Sequence, residues 1–182
     1  MKELITERLV LRKWSLSEDD IAGLFAYASS PNVGPNAGWK PHASLEESAM
    51  IIEEVFMPHK VWSIREKETG KVVGSIGLEP DRRREDVASM EMGYSLAEEA
   101  WGKGYMTEAA KAVIDYAFQE YNLVALGICT GPENKRSQRV IEKCGFVYEG
   151  RQRKGYHLFN GIDRDNLMYS IIREEWEARE KD

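Results

Sequence analysis

From Met106 to Tyr121 apolar residues recur at helical spacing. Met106, Ala109, Ala110, Val113, Ile114, Ala117, Phe118 and Tyr121 form an i, i+3, i+4, i+7 stripe, the clearest periodicity in the chain. A long helix with one apolar face has to lie on another layer of structure. The approach to it is "EEAWGKGYM", in which Gly102 and Gly104 stand one residue apart. Glycines at the mouth of a helix remove the Cβ and let another group come close to the backbone. The first turn of a helix also offers N–H groups that have no partner within the helix.

The flanking segments supply the other layer. "ERLVLRKW" alternates like a half-buried strand, with Leu9 and Leu11 on one face and Arg8, Val10 and Arg12 on the other. Ser17 with Asp20, and Ser44 with Glu47, resemble capping boxes that open helices to about Ala28 and through Phe56. Between these helices, "SSPNVGPNAGWKPH" is dense in turn residues and predicts a loop. "KVWSIREKETGKVVGSIGL" predicts a hairpin turning near Thr69-Gly70, and Val87 to Leu96 a further strand. "VALGICT" predicts a buried strand, and "ENKRSQRVIEKCG" a short helix stopped by Gly145. Two last strands flank Asn160-Gly161, a strong hairpin turn. The order β-α-α-β-β-β-α-β-α-β-β, with hairpins and crossover helices, implies an α/β fold: a mixed sheet with helices on its faces. There is no repeat, low-complexity segment or linker, so one domain spanning 1–182 is expected.

Composition narrows the class. At 182 residues, 42% hydrophobic and 31% charged, the chain reads as a soluble globular protein with a real core. No apolar run is long enough for a membrane span, and "MKELITERLVLRKW" has no apolar signal region. Cys129 and Cys144 are too few for a disulfide framework and sit in apolar contexts, as small buried side chains of a reducing, cytoplasmic compartment would. The net charge of −6 argues against non-specific nucleic-acid binding and favours cationic partners. "DRRRED", Asp81 to Asp86, reads as a solvated loop between strands, or as a phosphate or partner patch.

A strand, a glycine turn and a long helix together can hold a phosphate. A Walker loop requires Ser or Thr after its lysine, whereas Lys103 is followed by Gly104. A dinucleotide fingerprint requires a third glycine where Thr107 stands. A plain turn whose glycines serve close packing is the remaining reading of the spacing alone. "Glu99-Ala-Trp-Gly102-Lys-Gly104", after the strand "EMGYSL", resembles motif A of the GNAT superfamily of acetyl-CoA-dependent N-acetyltransferases. "TERLVLRKWSLSEDD" is similar to the start of the branch that includes the ribosomal-protein-alanine acetyltransferases. "GPENKRSQRVIEKCGFVYEG" resembles that branch's Asn-x-x-Ser helix and the strand after it, and "NGIDRDNLMYSIIREEW" its last hairpin and tail. The four pieces fall in order from Thr6 to Trp176. Glu99 departs from the Gln or Arg usual in the wider superfamily; backbone N–H groups do most of the binding there, so little is expected to be lost.

The resemblance implies an acyl-CoA N-acyltransferase fold whose two central parallel strands splay, usually with a bulge near the position of Gly93. It implies that the backbone of Gly102, Lys103, Gly104, Tyr105 and Met106 holds the pyrophosphate of acetyl-CoA, with Thr107 completing the turn. Tyr94, Ser95 and Leu96 would pair with the pantetheine arm as an added strand does. Asn134 would bind the pantetheine or cap its helix. Lys135, Arg136 and Arg139 would meet the nucleotide phosphates or form a solvated face. Acetyl transfer to an amine needs a route for the amine's proton, a donor to the developing oxyanion and a donor to the leaving thiolate. The family's Asn-x-x-Ser helix assigns the thiolate donor to Ser137, with Tyr105 and Tyr156 as runners-up. Glu91, on the strand before the splay, is the candidate base, with His157 and Glu149 as alternatives. Trp39 lines the acceptor pocket or packs in the core. No metal is required, and His42, His59 and His157 have no ligand spacing. The acceptor is a primary amine: a protein N-terminal α-amine, or alternatively a polyamine or amino antibiotic, and a non-catalytic CoA-binding regulator is a further alternative. The last hairpin and the tail "REEWEARE" carry apolar residues, and members of the family often pair, so a homodimer is expected.

Overall fold

The computed structural model describes residues 1–179. Glu180, the end of the tail segment, and the last two positions of the expected 1–182 domain lie outside the described residues. The strands are β1 (Leu4–Ile5), β2 (Leu9–Lys13), β3 (Lys60–Glu66), β4 (Val72–Pro80), β5 (Ser89–Leu96), β6 (Ala125–Thr130), β7 (Val147–His157) and β8 (Asp163–Ile172). They form one sheet in the order β1-β2-β3-β4-β5-β6-β8-β7. Every neighbouring pair is antiparallel except β5 and β6, which run parallel. The helices are α1 (Glu18–Ala28), α2 (Gly34–Ala37), α3 (Leu45–Ile51), α4 (Tyr105–Tyr121), α5 (Lys135–Lys143) and α6 (Arg173–Arg179). The mixed sheet flanked by helices is the architecture expected from the sequence.

The periodic stripe behaves as its spacing requires. Met106, Ala109, Ala110, Val113, Ile114, Ala117 and Phe118 are all buried on α4. The small alanines let the helix approach the sheet, and Tyr116 meets Trp62 of β3 edge-on at 5.3 Å. Trp62, Ile64, Leu9 and Leu11 under it are fully buried, each large side chain contributing about 1.5–3 kcal/mol. On the opposite face α1 lies against β4, where a Cβ at Gly23 would fall 2.5 Å from Val72. Ser17 caps α1 by accepting from Asp20 N, and Ser44 caps α3 by accepting from Glu47 N. Both capping expectations hold, but Asp20 does not reach back to Ser17. Its fully buried carboxylate accepts from Ser15 N (2.9 Å) and Ser15 Oγ (2.5 Å) and pairs with Arg12 (3.1 Å) and Arg65.

Three segments differ from their sequence reading. The turn-rich stretch after α1 contains α2, because Pro35 fits the first helical turn and Gly38, at φ 107°, ends it. The tail forms α6, whose Trp176 is buried and stacks on Phe118 at 5.3 Å, so it adds no apolar surface. The hairpin does, through Val147, Tyr148, Phe159 and Ile162 beside the edge strand β7. Finally, no bulge interrupts β5 at Gly93: β4 and β5 pair without a break from Pro80↔Met90 to Gly74↔Leu96. Among the described residues no helix is long and apolar enough to cross a membrane.

The Asp20 network ties β2, β3 and α1 together through buried charge. Asp20→Ala is expected to lower the unfolding free energy by about 3 kcal/mol, because two cations lose a partner. A urea titration should show this as a lower midpoint at constant slope.

Candidate active site

The parallel pair at the centre of the sheet is short. β5 and β6 pair only at Ser89↔Ala125, Met90↔Leu126 and Glu91↔Gly127. Beyond that point β5 follows β4 to Leu96, and β6 follows β8 to Thr130↔Leu167. The strands splay because each is held by a different neighbour, and no extra residue is needed to force them apart. A cavity of about 660 Å³ occupies the wedge. Its lining includes Glu91, Tyr94, Ser95, Leu96, Gly102, Gly104, Tyr105, Met106, Thr107, Asn134 and Ser137. Lys103, the remaining candidate, is not among the lining residues; its carbonyl accepts from Arg8 Nη1 at 2.9 Å.

At one end the cavity meets the glycine turn. Gly102 and Gly104 have φ of 77° and 81°, the left-handed region that disfavours a Cβ. The first helical bond runs from Glu108 N to the Gly104 carbonyl at 3.0 Å. The N–H groups of Tyr105, Met106 and Thr107 therefore have no acceptor within α4, and no side chain caps the helix. The arrangement suits an anion. Arg136, Arg139 and Lys143 of α5 also line the cavity, with the Arg136 guanidinium 4.2 Å over the Trp101 ring. Lys135 does not line it. Glu99, the departure from motif A, pairs with Lys71 at 2.5 Å and stands outside the lining.

Asn134 caps α5 by accepting from Ser137 N at 3.1 Å, and it also borders the cavity. Ser137 Oγ lies 3.0 Å from the Tyr94 hydroxyl, whose single proton can go to that Oγ or to the Ser137 carbonyl 3.3 Å away. Removal from water pushes the Tyr94 phenol above its ordinary range, so it stays protonated at neutral pH. The sequence reading used only the backbone of Tyr94 and missed its phenol. The signal was the alternation of "MEMGYSL", which puts Tyr94 on the same face as Met92 and Leu96. Of the runners-up, Tyr105 has its ring engaged by Arg8 at 4.8 Å and Lys103 at 5.7 Å, while Tyr156 lines the cavity at its other end.

Glu91 is the last residue of the parallel ladder, with its side chain 14% exposed. It is not alone. Arg83 Nη1 lies 2.5 Å from Glu91 Oε2, and Arg83 Nη2 lies 3.5 Å from Cys129 Sγ. "DRRRED" is a largely solvated loop between β4 and β5, as expected, but Asp81, Arg83 and Arg84 fold back from it onto the sheet. Asp81, itself buried, accepts from Arg83 N at 2.9 Å, and Arg84 bridges Asp81 to Glu149. Gly127 makes room for this fold-back, since a Cβ there would fall 3.3 Å from both Arg84 and Asp81. Burial and the nearby Glu91 push the Cys129 thiol up to about 11, so it is no nucleophile near neutrality. Glu149 is bound to Arg84 and Ser170, and His157 pairs with Asp163 at the hairpin end. Neither lines the cavity. Trp39 packs against His42 with ring centroids 5.4 Å apart and planes tilted by 50°; Val33, Asn36 and Ala37 of its segment line the cavity instead. No group of three or more His, Cys, Asp or Glu among the described residues is placed to hold a metal ion.

A sheet opened between parallel strands, with a glycine turn and a bare helix end at one mouth of the opening, is the frame of an acyl-CoA-dependent transferase. Residues 8–147 match the acetyltransferase (GNAT) domain, and the chain belongs to this family of acetyltransferases. The uncharacterized N-acetyltransferase p20 of Bacillus licheniformis is 32% identical over 181 residues, covering 97% of this chain and 99% of its own. The Escherichia coli [ribosomal protein uS5]-alanine N-acetyltransferase is 33% identical over 85 residues, covering 47% of this chain and 43% of its own. The crystal structure of a GNAT acetyltransferase from Bacillus anthracis superposes with a TM-score of 0.83 at 26% identity, covering 96% of this chain and 100% of that one.

Acetyl-CoA is expected to raise the melting temperature of the protein, and NAD or ATP not to. Gly104→Leu should abolish that rise while costing about 1–2 kcal/mol of intrinsic stability from the left-handed backbone. A full acetyl-CoA shift in the variant would show that the turn does not hold the ligand.

Proposed function

We propose that the chain, as one cytoplasmic domain, transfers an acetyl group from acetyl-CoA to the α-amino group of a protein N-terminus. The observation that carries this reading is the wedge itself. Its two unpaired strand edges, the bare end of α4 and the α5 cations lie along one continuous cavity, and the Glu91 carboxylate lines that same cavity. These residues fit the ligand: N–H groups of Tyr105, Met106 and Thr107 for the pyrophosphate, and the free edge of β5 for the pantetheine arm. Bound acetyl-CoA supplies an activated thioester. Ser137 donates a proton toward the departing sulfur and is resupplied by Tyr94 through their shared hydrogen bond. Glu91 takes up the proton of the incoming amine, directly or through water, with Arg83 as its counter-ion. Partial similarity to the uS5-alanine acetyltransferase supports an N-terminal acceptor. So does the net charge of −6, which suits a basic protein target.

Ser137→Ala is expected to lower kcat by about 10-fold or more with little change in acetyl-CoA affinity, as loss of acid assistance should. An unchanged kcat would move the donor role to Tyr94 or Tyr156.

The base assignment makes a pH prediction. An α-amine has a pKa of roughly 8, so below that value most of the acceptor must lose a proton before attack. Glu91→Gln should therefore reduce kcat/KM most near neutrality and recover as pH rises and the amine deprotonates unaided. A wild-type to variant ratio that stays flat across pH would remove Glu91 from this role. Mass spectrometry of the product locates the acetyl group, and finding it only on polyamines or an amino antibiotic would favour a small-molecule acceptor.

A further inference from the structure

Arg164 brings a positive charge to the cavity without a counter-ion. It lies on β8 opposite Tyr156 of β7, with its guanidinium 5.2 Å over the Tyr156 ring. Nη1 donates to the Asn36 carbonyl at 3.3 Å and Nη2 to Asn166 Oδ1 at 3.4 Å, both neutral acceptors at long range. Nε is shut off from solvent and has no acceptor. Among the described residues no carboxylate pairs with Arg164, whereas Arg83 holds one and Arg65 and Arg84 hold two each. Asn166 beside it is fully buried, and its Nδ2 is also without a partner. Gly131 leaves the space that Arg164 uses, since a Cβ there would lie 2.8 Å from Arg164 Cδ.

Strand alternation fixes which side of the sheet this is. Arg164 and Asn166 share a face with Met168 and Ser170, whose partners on β6 are Cys129 and Gly127. Gly127 in turn pairs with Glu91. Arg164 therefore stands on the side of the proposed base, opposite the face that carries Tyr94. A guanidinium with long bonds to neutral oxygens and one dry, unpaired N–H is costly unless another oxygen completes it. A forked cation prefers a planar carbonyl or carboxylate for that purpose.

We infer that Arg164 is the cation of a subsite for an oxygen of the acceptor, the carbonyl or carboxylate next to its amine. The inference rests on the acetyl transfer proposed above and narrows its acceptor to α-aminoacyl amines. A polyamine offers no such oxygen and brings further positive charge toward Arg164 and Arg83. Asn166 is a positioning residue: it acts by holding Nη2 through its Oδ1.

The test compares three acceptors by thiol release from acetyl-CoA: an alanyl tripeptide amide, free alanine and spermidine. Wild type should prefer one or both alanyl acceptors to spermidine. The better of the two tells whether the oxygen is a peptide carbonyl or a free carboxylate. Arg164→Met should lower the ratio of kcat/KM for the alanyl acceptor to that for spermidine by about 10-fold or more, the loss expected for a charged hydrogen bond. Arg164→Lys should restore part of it. The acetyl-CoA melting shift should persist in both variants, as a check on the fold. An unchanged ratio in Arg164→Met overturns the inference, and so does a uniform loss toward all acceptors, which would mark Arg164 as structural. If wild type transfers to no amine at all although acetyl-CoA raises its melting temperature, the acetyl-transfer reading fails, and the subsite with it.

Discussion

The hydrogen-bond ladder between β5 and β6 stops after three residue pairs, and the rest of the site depends on that stop. Backbone N–H and C=O groups left at an open sheet edge must be satisfied by water or by something that behaves like a strand. The edge stays open because both strands are committed elsewhere, β5 to β4 through seven pairs and β6 to β8 through six. Trp101 adds a brace by donating from Nε1 to the Leu96 carbonyl at 2.9 Å, where β5 leaves the sheet. The contact that crosses the gap is made by side chains: Tyr94 of β5 reaches Ser137 of α5 at 3.0 Å. A ligand arm lying along β5 must pass this pair. The same geometry that opens the sheet thus brings the proposed proton donor to the ligand.

The wedge also separates charge. On the face of α4 and α5 the cavity meets the positive end of a helix of 17 residues together with Arg136, Arg139 and Lys143. In a chain of net charge −6 such a concentration of cations is a local departure, and it fits a polyanionic ligand. On the other face the charges alternate in sign: Glu91 with Arg83, and Asp81 with Arg84 and Glu149 beyond. Ion pairs there leave little net field, so discrimination among acceptors falls to individual groups. Arg164, with its ring partner and neutral oxygens, is a cation on that face held without a carboxylate among the described residues, and Glu79, opposite Glu91 on β4, lines the same cavity outside any ion pair.

What could be read from the sequence was local. The α4 stripe, the glycine turn before it and the Ser17 and Ser44 caps depend on residues within about one or two turns, and all were found where spacing put them. The site residues carried by the resemblance converge on one cavity except Lys103 and Lys135, which are not among its lining residues. What could not be read depends on distant partners. Arg164 takes its place from Asn36, 128 positions away, and Arg83 reaches Cys129 across 46. A run such as "DRRRED" is largely solvated, and the ion pairs it folds back to make use space left by a glycine in another strand, Gly127. α2 was hidden for the opposite reason: proline, glycine and asparagine mark turns, yet proline is also suited to a first helical turn.

One local feature runs against an anion site. Glu108 stands in the first turn of α4, where a free carboxylate would repel a phosphate approaching the same N–H groups. The structure resolves this through the turn between β1 and β2. Burial alone would raise the Glu108 carboxyl, but Thr6 and Arg8 outweigh it and hold the group below the usual carboxylate range. Thr6 Oγ1 donates at 2.6 Å, Arg8 N at 2.8 Å, and the Arg8 guanidinium closes an ion pair at 2.7 Å. The same guanidinium donates to the Lys103 carbonyl inside the glycine turn. The charge that would oppose an anion is thereby spent on anchoring the turn that receives it. The helix end keeps its positive character, and the glycine turn is braced by Arg8, in the turn between β1 and β2, 95 positions earlier in the chain.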